Sequence, residues 1–195
     1  MKYFTPELYV LGNSPKEADW ERQDAEWERQ IKRYQRHYRK IKKLLPESVR
    51  RFHDDYELHD ADVFGPARFS NGARSSKSDE VVLVAQNTDT LYAEHLNTLM
   101  ILHYTITAKP IVELPVPSDV FHPGHAVWLY DEIDVVKAGD FLQEVLLSDG
   151  RVLKIRFREF RLEIAPLVGP VKYADLKKLL GQKAASKSKK KAVPA

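Results

Sequence analysis

Between positions 20 and 45 the large apolar residues are Trp20, Trp27, Ile31, Tyr34, Tyr38, Ile41 and Leu45. After the first, the steps between them alternate between fours and threes, the rhythm of a single helical seam. Glu, Arg, Lys and Gln fill the other faces, so the pattern predicts a long amphipathic helix with a narrow aromatic stripe. Ser14-Pro15-Lys16-Glu17 supplies its start. Ser caps a free backbone N–H, Pro suits the first helical position, and Glu can reach back to the cap. Such a helix spans about 45 Å at about 1.5 Å per residue. It either lies on the protein's own sheet or packs its seam against a second copy. The candidate interface residues are then Trp20, Trp27, Ile31, Tyr34 and Tyr38.

The segment before it, MKYFTPELYV, reads as a short strand up to Pro6. Pro46 opens a second helix, because a proline loses nothing in a first turn. Its apolar positions, Val49, Phe52, Tyr56 and Val63, share one face, and Gly65-Pro66 ends it near Phe64. The stretch ARFSNGARSSKSD that follows reads as an exposed loop.

From Glu80 the period changes to two. Val81 to Ala85, Leu99 to Thr107, Ile111 to Leu114, Ala126 to Val136, Phe141 to Leu147 and Val152 onward have strand character. Asp149-Gly150 predicts a tight two-residue hairpin turn. Beyond it, Leu153, Ile155 and Phe157 share a face, and then Phe160, Leu162 and Ile164 do. That slip of one residue at Arg158-Glu159 requires a bulge or a bend. Tyr173 to Leu180 reads as a closing helix. Helices first and sequential strands after them predict an α+β fold, two helices packed on an antiparallel meander. One domain of residues 1 to 180 is expected: a helical part over 14 to 64, a β part over 80 to 165 and the closing helix over 171 to 180.

Charge modifies this picture only at the end of the chain. The formal net charge is +3, but Gly181 to Ala195 holds five lysines and no acid. Without that stretch the body stands at −2, so no basic field for nucleic acid spans the protein. The stretch itself, built from Ala, Ser, Lys and Pro, reads as a disordered tail able to make at most weak phosphate contacts. The absence of Cys removes disulfides and thiolate chemistry and suits a reducing cytoplasm. No apolar run is long enough to span a membrane.

Chemistry concentrates in FHDDYELHDADVF, residues 52 to 64, with two histidines and four aspartates. On the expected helix, Asp54, Asp55 and Asp62 point outward. Asp60 falls near the middle of the apolar face, with His53 beside it and His59 at the edge. A carboxylate in that position needs a partner. A structural staple is the leading reading. The alternative is a divalent metal such as Zn or Mn, held by His53, His59 and Asp60 with help from His122, His125 and Asp131, in a hydrolase. Asp131 is expected to share a strand face with Val127, Leu129, Ile133 and Val135. Trp128 and Tyr130 are expected on the other face as a second candidate interface, either open to a protein partner or covered by the long helix. Nucleotide-binding glycine motifs, GxSxG and HExxH are absent.

MKYFTPELY, LHDADV and LYDEID with LLSDGRVLKIRF resemble a bacterial family that begins with a similar MKYFT-type segment. The resemblance covers most of the chain except the tail. No activity is known for that family, so no catalytic residue carries over. The expectation is a small cytoplasmic, non-enzymatic protein without a cofactor, acting through contact with a protein partner or with itself.

Overall fold

The computed structural model describes residues 1–69, 79–87, 98–114, 118–121 and 126–166. The expected loop ARFSNGARSSKSD is corrected at its start, where Ala67 to Phe69 continue a strand; its middle, the closing helix and the Lys-rich tail lie outside these residues. The fold is α+β, as the change of period implies.

The N-terminal segment forms a helix rather than a strand. Helix α1 (Pro6–Gly12) follows Thr5, whose hydroxyl accepts from the Leu8 N–H at 3.3 Å, with Pro6 in the first turn. The long helix α2 (Glu17–Ile41) starts three residues past Ser14. Ser14 is drawn away from capping: its hydroxyl donates to Asp19 at 2.6 Å and accepts from the Lys16 N–H. The first half of α2 carries Glu17, Asp19, Glu21, Asp24, Glu26 and Glu28. The second half carries Lys32, Arg33, Arg36, Arg39 and Lys40. This gradient suits the helix dipole at both ends.

The second helix is short. Helix α3 (Glu47–Asp55) stops nine residues before the expected end. The chain turns, and Asp62 already opens β1 (Asp62–Phe69). Gly65-Pro66 therefore lies inside a strand. Proline is tolerated there because β1 is the last strand of the sheet path, and the register slips between Phe64 and Ala67.

The remaining strands are β2 (Glu80–Asn87), β3 (Thr98–Ile106), β4 (Ile111–Glu113), β5 (Trp128–Lys137), β6 (Asp140–Leu147) and β7 (Val152–Pro166). They form one antiparallel sheet in the order β1-β2-β3-β7-β6-β5, with β4 also paired to β7. The sheet curls until its two ends meet. Asp62 bridges Val127, and the Val63 N–H donates to the Ala126 carbonyl at 2.8 Å. The slip near Arg158 is present: Thr105 faces Glu159, Ile106 faces Phe157, and Arg158 has no opposite residue. Phe157 and Phe160 thereby both turn into the core. The Asp-Gly hairpin differs in detail. Only Gly150 takes a positive φ, and its N–H donates to the Leu147 carbonyl while the Leu147 N–H reaches Arg151. Its loop has three residues and a bulge rather than a two-residue turn.

The main core fills the inside of the curl, where Leu83, Met100, Leu102, Tyr104, Val145, Ile155 and Phe157 meet. Helix α3 closes one end of it with Val49 and Phe52, the latter against Phe160 and Trp128. The N-terminal segment and the seam of α2 from Trp27 to Tyr34 pack on the outer face of β5 and β6, while Ile41 at the end of α2 joins the main core.

Candidate functional site

Three polar places stand out. The first is inside the curl. Gln143 is buried, accepts from the Tyr104 hydroxyl at 2.8 Å, and donates to Asp131 Oδ2 at 2.9 Å. Trp128 Nε1 donates to Asp131 Oδ1 at 3.1 Å. His53 Nδ1 stands 3.6 Å from Asp131 Oδ2, too long for a hydrogen bond. His53 Nε2 is buried without a partner. Burial holds the imidazole below its ordinary pKa, against the opposing pull of Asp131 and Asp54. Burial, reinforced by Asp131, pushes the Tyr104 hydroxyl well above its ordinary value. Neutral donors around one partly exposed carboxylate form a staple at the edge of the core.

The strand register brings this cluster together. A slip between Trp128 and Tyr130 rotates Trp128 onto the face of Asp131 and Ile133. Leu129 turns to the outer cluster with Tyr130. The expected grouping of Leu129 with Asp131, and of Trp128 with Tyr130, is corrected accordingly. Trp128 is 1% exposed and belongs to the core.

The second place is the turn after α3. Asp60 is not on an inward helix face, because the helix has ended. It takes φ 66°, and its side chain is half exposed and lies 3.0 Å from His59 Nδ1. Aspartate tolerates this left-handed conformation better than most residues. The His59 ring meets Tyr130 edge-on. His53 and Asp131 therefore come together inside, and His59 and Asp60 come together outside. Asp54 pairs with Lys42 at 2.7 Å, and Asp55 with Arg51. Among the described residues, no group of three or more His, Asp or Glu is placed to hold a metal ion. His122 and His125 lie outside the described residues.

The third place was not singled out in the sequence. On the outer face Glu132 and Glu144 stand directly opposite on β5 and β6, an unfavourable like-charge pair if left alone. The N-terminal segment relieves it. Glu132, 5% exposed, accepts from the backbone N–H groups of Lys2, Tyr3 and Phe4 at 2.8, 2.6 and 2.7 Å. Glu144 pairs with the Met1 ammonium at 2.8 Å and Lys154 at 3.0 Å. Burial would raise the Glu144 pKa, but these two cations together hold it below its ordinary value.

Helix α2 clamps this segment with its aromatic seam. Trp27 packs on Phe4 and Tyr130, Tyr34 packs on Tyr3 and Phe4, and the Tyr34 hydroxyl oxygen accepts from the Ile133 N–H at 3.0 Å. Tyr38 reaches His53 and Asp54, and Ile31 is half-buried. Burial, with Tyr9 and Asp60 nearby, pushes the Tyr130 hydroxyl up to about 12. Of the proposed interface residues only Trp20, at 48% exposure, stands out in solvent. The long helix thus covers Tyr130 and lies on its own protein.

Where the segment and α2 meet, Lys2, Tyr3, Arg33, Arg36, His37 and Lys40 line an open groove of about 320 Å³. Lys2 and Arg33 sit over the Tyr3 ring, at 5.3 and 5.7 Å from its centre. His37 Nε2 is 3.1 Å from Asp134. Arg33, Arg36 and Lys40 recur at helical spacings of three and four. That regularity was the signal available in the sequence.

The buried His53 has a measurable consequence. The unfolded chain protonates it near pH 6.5, whereas the folded state resists. Stability is expected to be unaffected by this group above that value and to fall as pH drops below it. Urea unfolding of His53→Phe between pH 5 and 7 should show a shallower loss than wild type. Equal slopes would mean that His53 is readily protonated in the folded state.

Together these features define an α+β protein with a helix-capped, curled antiparallel sheet and a cationic groove on its helical side. Comparison of the chain with protein-family models, with curated proteins and with solved structures found no match. Among the described residues, no helix is long and apolar enough to cross a membrane.

Proposed function

We propose that this is a non-enzymatic cytoplasmic protein that recognises an acidic partner protein through the groove between its N-terminal segment and α2. One observation carries the reading. Lys2, Arg33, Arg36 and Lys40 converge on the groove, and none pairs with a carboxylate among the described residues. Many other cations of the body are paired: Lys42 with Asp54, Lys154 with Glu113 and Glu144, Arg156 with Asp140, Arg151 with Asp149. Four uncompensated cations around one concavity attract an anionic partner, speed its encounter and reject cationic ones. Two residues of FHDDYELHDADVF, His53 and Asp54, help to seat the helix that carries this surface. Asp54 and His53 both contact Tyr38 of α2.

The test is fluorescence anisotropy with a labelled glutamate-rich peptide at low salt, using the full chain. Arg33→Glu/Arg36→Glu is expected to weaken binding at least tenfold, roughly 1.4 kcal/mol, and wild-type binding should fade as salt rises. Replacing Lys183, Lys187, Lys189, Lys190 and Lys191 with glutamine should change it little. Binding that survives the arginine reversal, or that is lost with the tail lysines, would contradict the reading.

A further inference from the structure

We infer that the groove is built for phosphoryl groups on a partner segment rather than for its carboxylates. This rests on the groove being the partner site, and adds the chemistry it reads. Arg33, Arg36 and Lys40 share one face of α2, and Lys2 stands across from them on the N-terminal segment. Four formal positive charges thus line an open groove of about 320 Å³. A carboxylate brings one negative charge and two acceptor oxygens. A phosphate ester brings about 1.5 to 2 negative charges at neutral pH and three acceptor oxygens. Two neighbouring phosphoryl groups would balance the groove, whereas carboxylates would have to number four in the same small space.

The donors also suit phosphate. Arg33 is braced by its hydrogen bond to Gln30 Oε1 at 3.1 Å, and Arg36 Nε by the Lys32 carbonyl at 3.2 Å. Bracing one nitrogen of each guanidinium limits its motion and leaves the other donors for a forked, two-point contact. Lys2 and Lys40 add point charges whose geometry can adapt.

The aromatic wall argues against a nucleotide as the phosphate carrier. A nucleobase needs an open aromatic face on which to stack. Tyr3 is buried, with Lys2 and Arg33 over its ring and Tyr34 and His37 at 5.4 and 5.8 Å. It offers no free face, so the phosphoryl group belongs to a phosphorylated segment of a partner protein.

Three short peptides of the same backbone sequence separate the possibilities by anisotropy at fixed salt: one with two adjacent phosphoserines, one with four glutamates, one with unmodified serines. The phosphopeptide is expected to bind at least tenfold tighter than the glutamate peptide, and the serine peptide not to bind. Arg36→Lys, which keeps the charge but removes the fork, should weaken phosphopeptide binding several-fold and barely affect the glutamate peptide. Thermal unfolding of each variant confirms that the fold is intact. Equal binding of the phosphopeptide and glutamate peptide would overturn phosphoryl recognition and leave the acidic-partner reading standing. Binding of neither would overturn both. Phosphopeptide binding that survives Arg33→Glu/Arg36→Glu would also overturn it, by placing the site elsewhere.

Discussion

Asp131→Ala is expected to lower the stability of the fold by about 3 kcal/mol, because two donors in the core lose their only described acceptor. Trp128 Nε1 and Gln143 Nε2 both end on this carboxylate, and Tyr104 depends on Gln143 in turn. Trp128 and Gln143 are each 1% exposed, whereas the Asp131 side chain is 21% exposed, so water entering on the carboxylate's open side offsets part of the cost of two orphaned donors. Asp131→Asn should fall between alanine and wild type. It keeps one acceptor but turns an amide donor toward groups that are already donors. Urea unfolding followed by tryptophan fluorescence measures both, and an unchanged dependence on urea would show that compactness is preserved. A loss under about 0.5 kcal/mol, the range of ordinary surface substitutions, would remove the staple and free Asp131 for acid–base work.

Glu132→Ala should be comparably damaging, by about 3 kcal/mol, with a second symptom that distinguishes it. Three backbone N–H groups lose a charged acceptor together, and bonds to charged groups are the strong ones. Partial hydration of the released segment keeps the loss below the sum of three such bonds. Residues 1 to 12 should then become protease-sensitive while the sheet stays folded. Because Lys2 and Tyr3 line the groove, acidic-peptide binding should weaken in the same variant. Glu132→Gln retains the two acceptor sites of one oxygen and should recover part of each property. A variant with undiminished stability and an intact N-terminal segment would show that α2 packing alone holds that segment.

The sequence disclosed some of these features because their signals are local. The seam from Trp27 to Ile41 is a strict periodicity, and the slip at Arg158 follows from two short runs of opposite phase. The failures have identifiable causes. Val49 and Phe52 do share the inward face of α3, and Tyr56 and Val63 continue that face by coincidence. In the structure Leu58, Ala61 and Val63 reach the core from a turn and a strand. Tertiary pairing with Ala126 and Trp128 outweighs that helical pattern. Asp60 was carried inward by the same error. The carboxylate that does meet His53 is Asp131, which no spacing rule links to position 53. Thr5-Pro6 is a helix start that reads equally well as the end of a strand. Glu132 receives its partners from residues some 130 positions earlier, so nothing nearby in the chain announces it.

On the proposed function, the His and Asp chemistry holds the fold while recognition falls to the cationic groove. A ¹H–¹⁵N NMR titration of the full chain with the glutamate-rich peptide tests it most directly. The largest shifts are expected on Lys2, Tyr3, Arg33, Arg36, His37 and Lys40, with His53 and Asp131 unmoved. Shifts centred on the His59–Asp60 turn or on the tail lysines, with the groove silent, would contradict it.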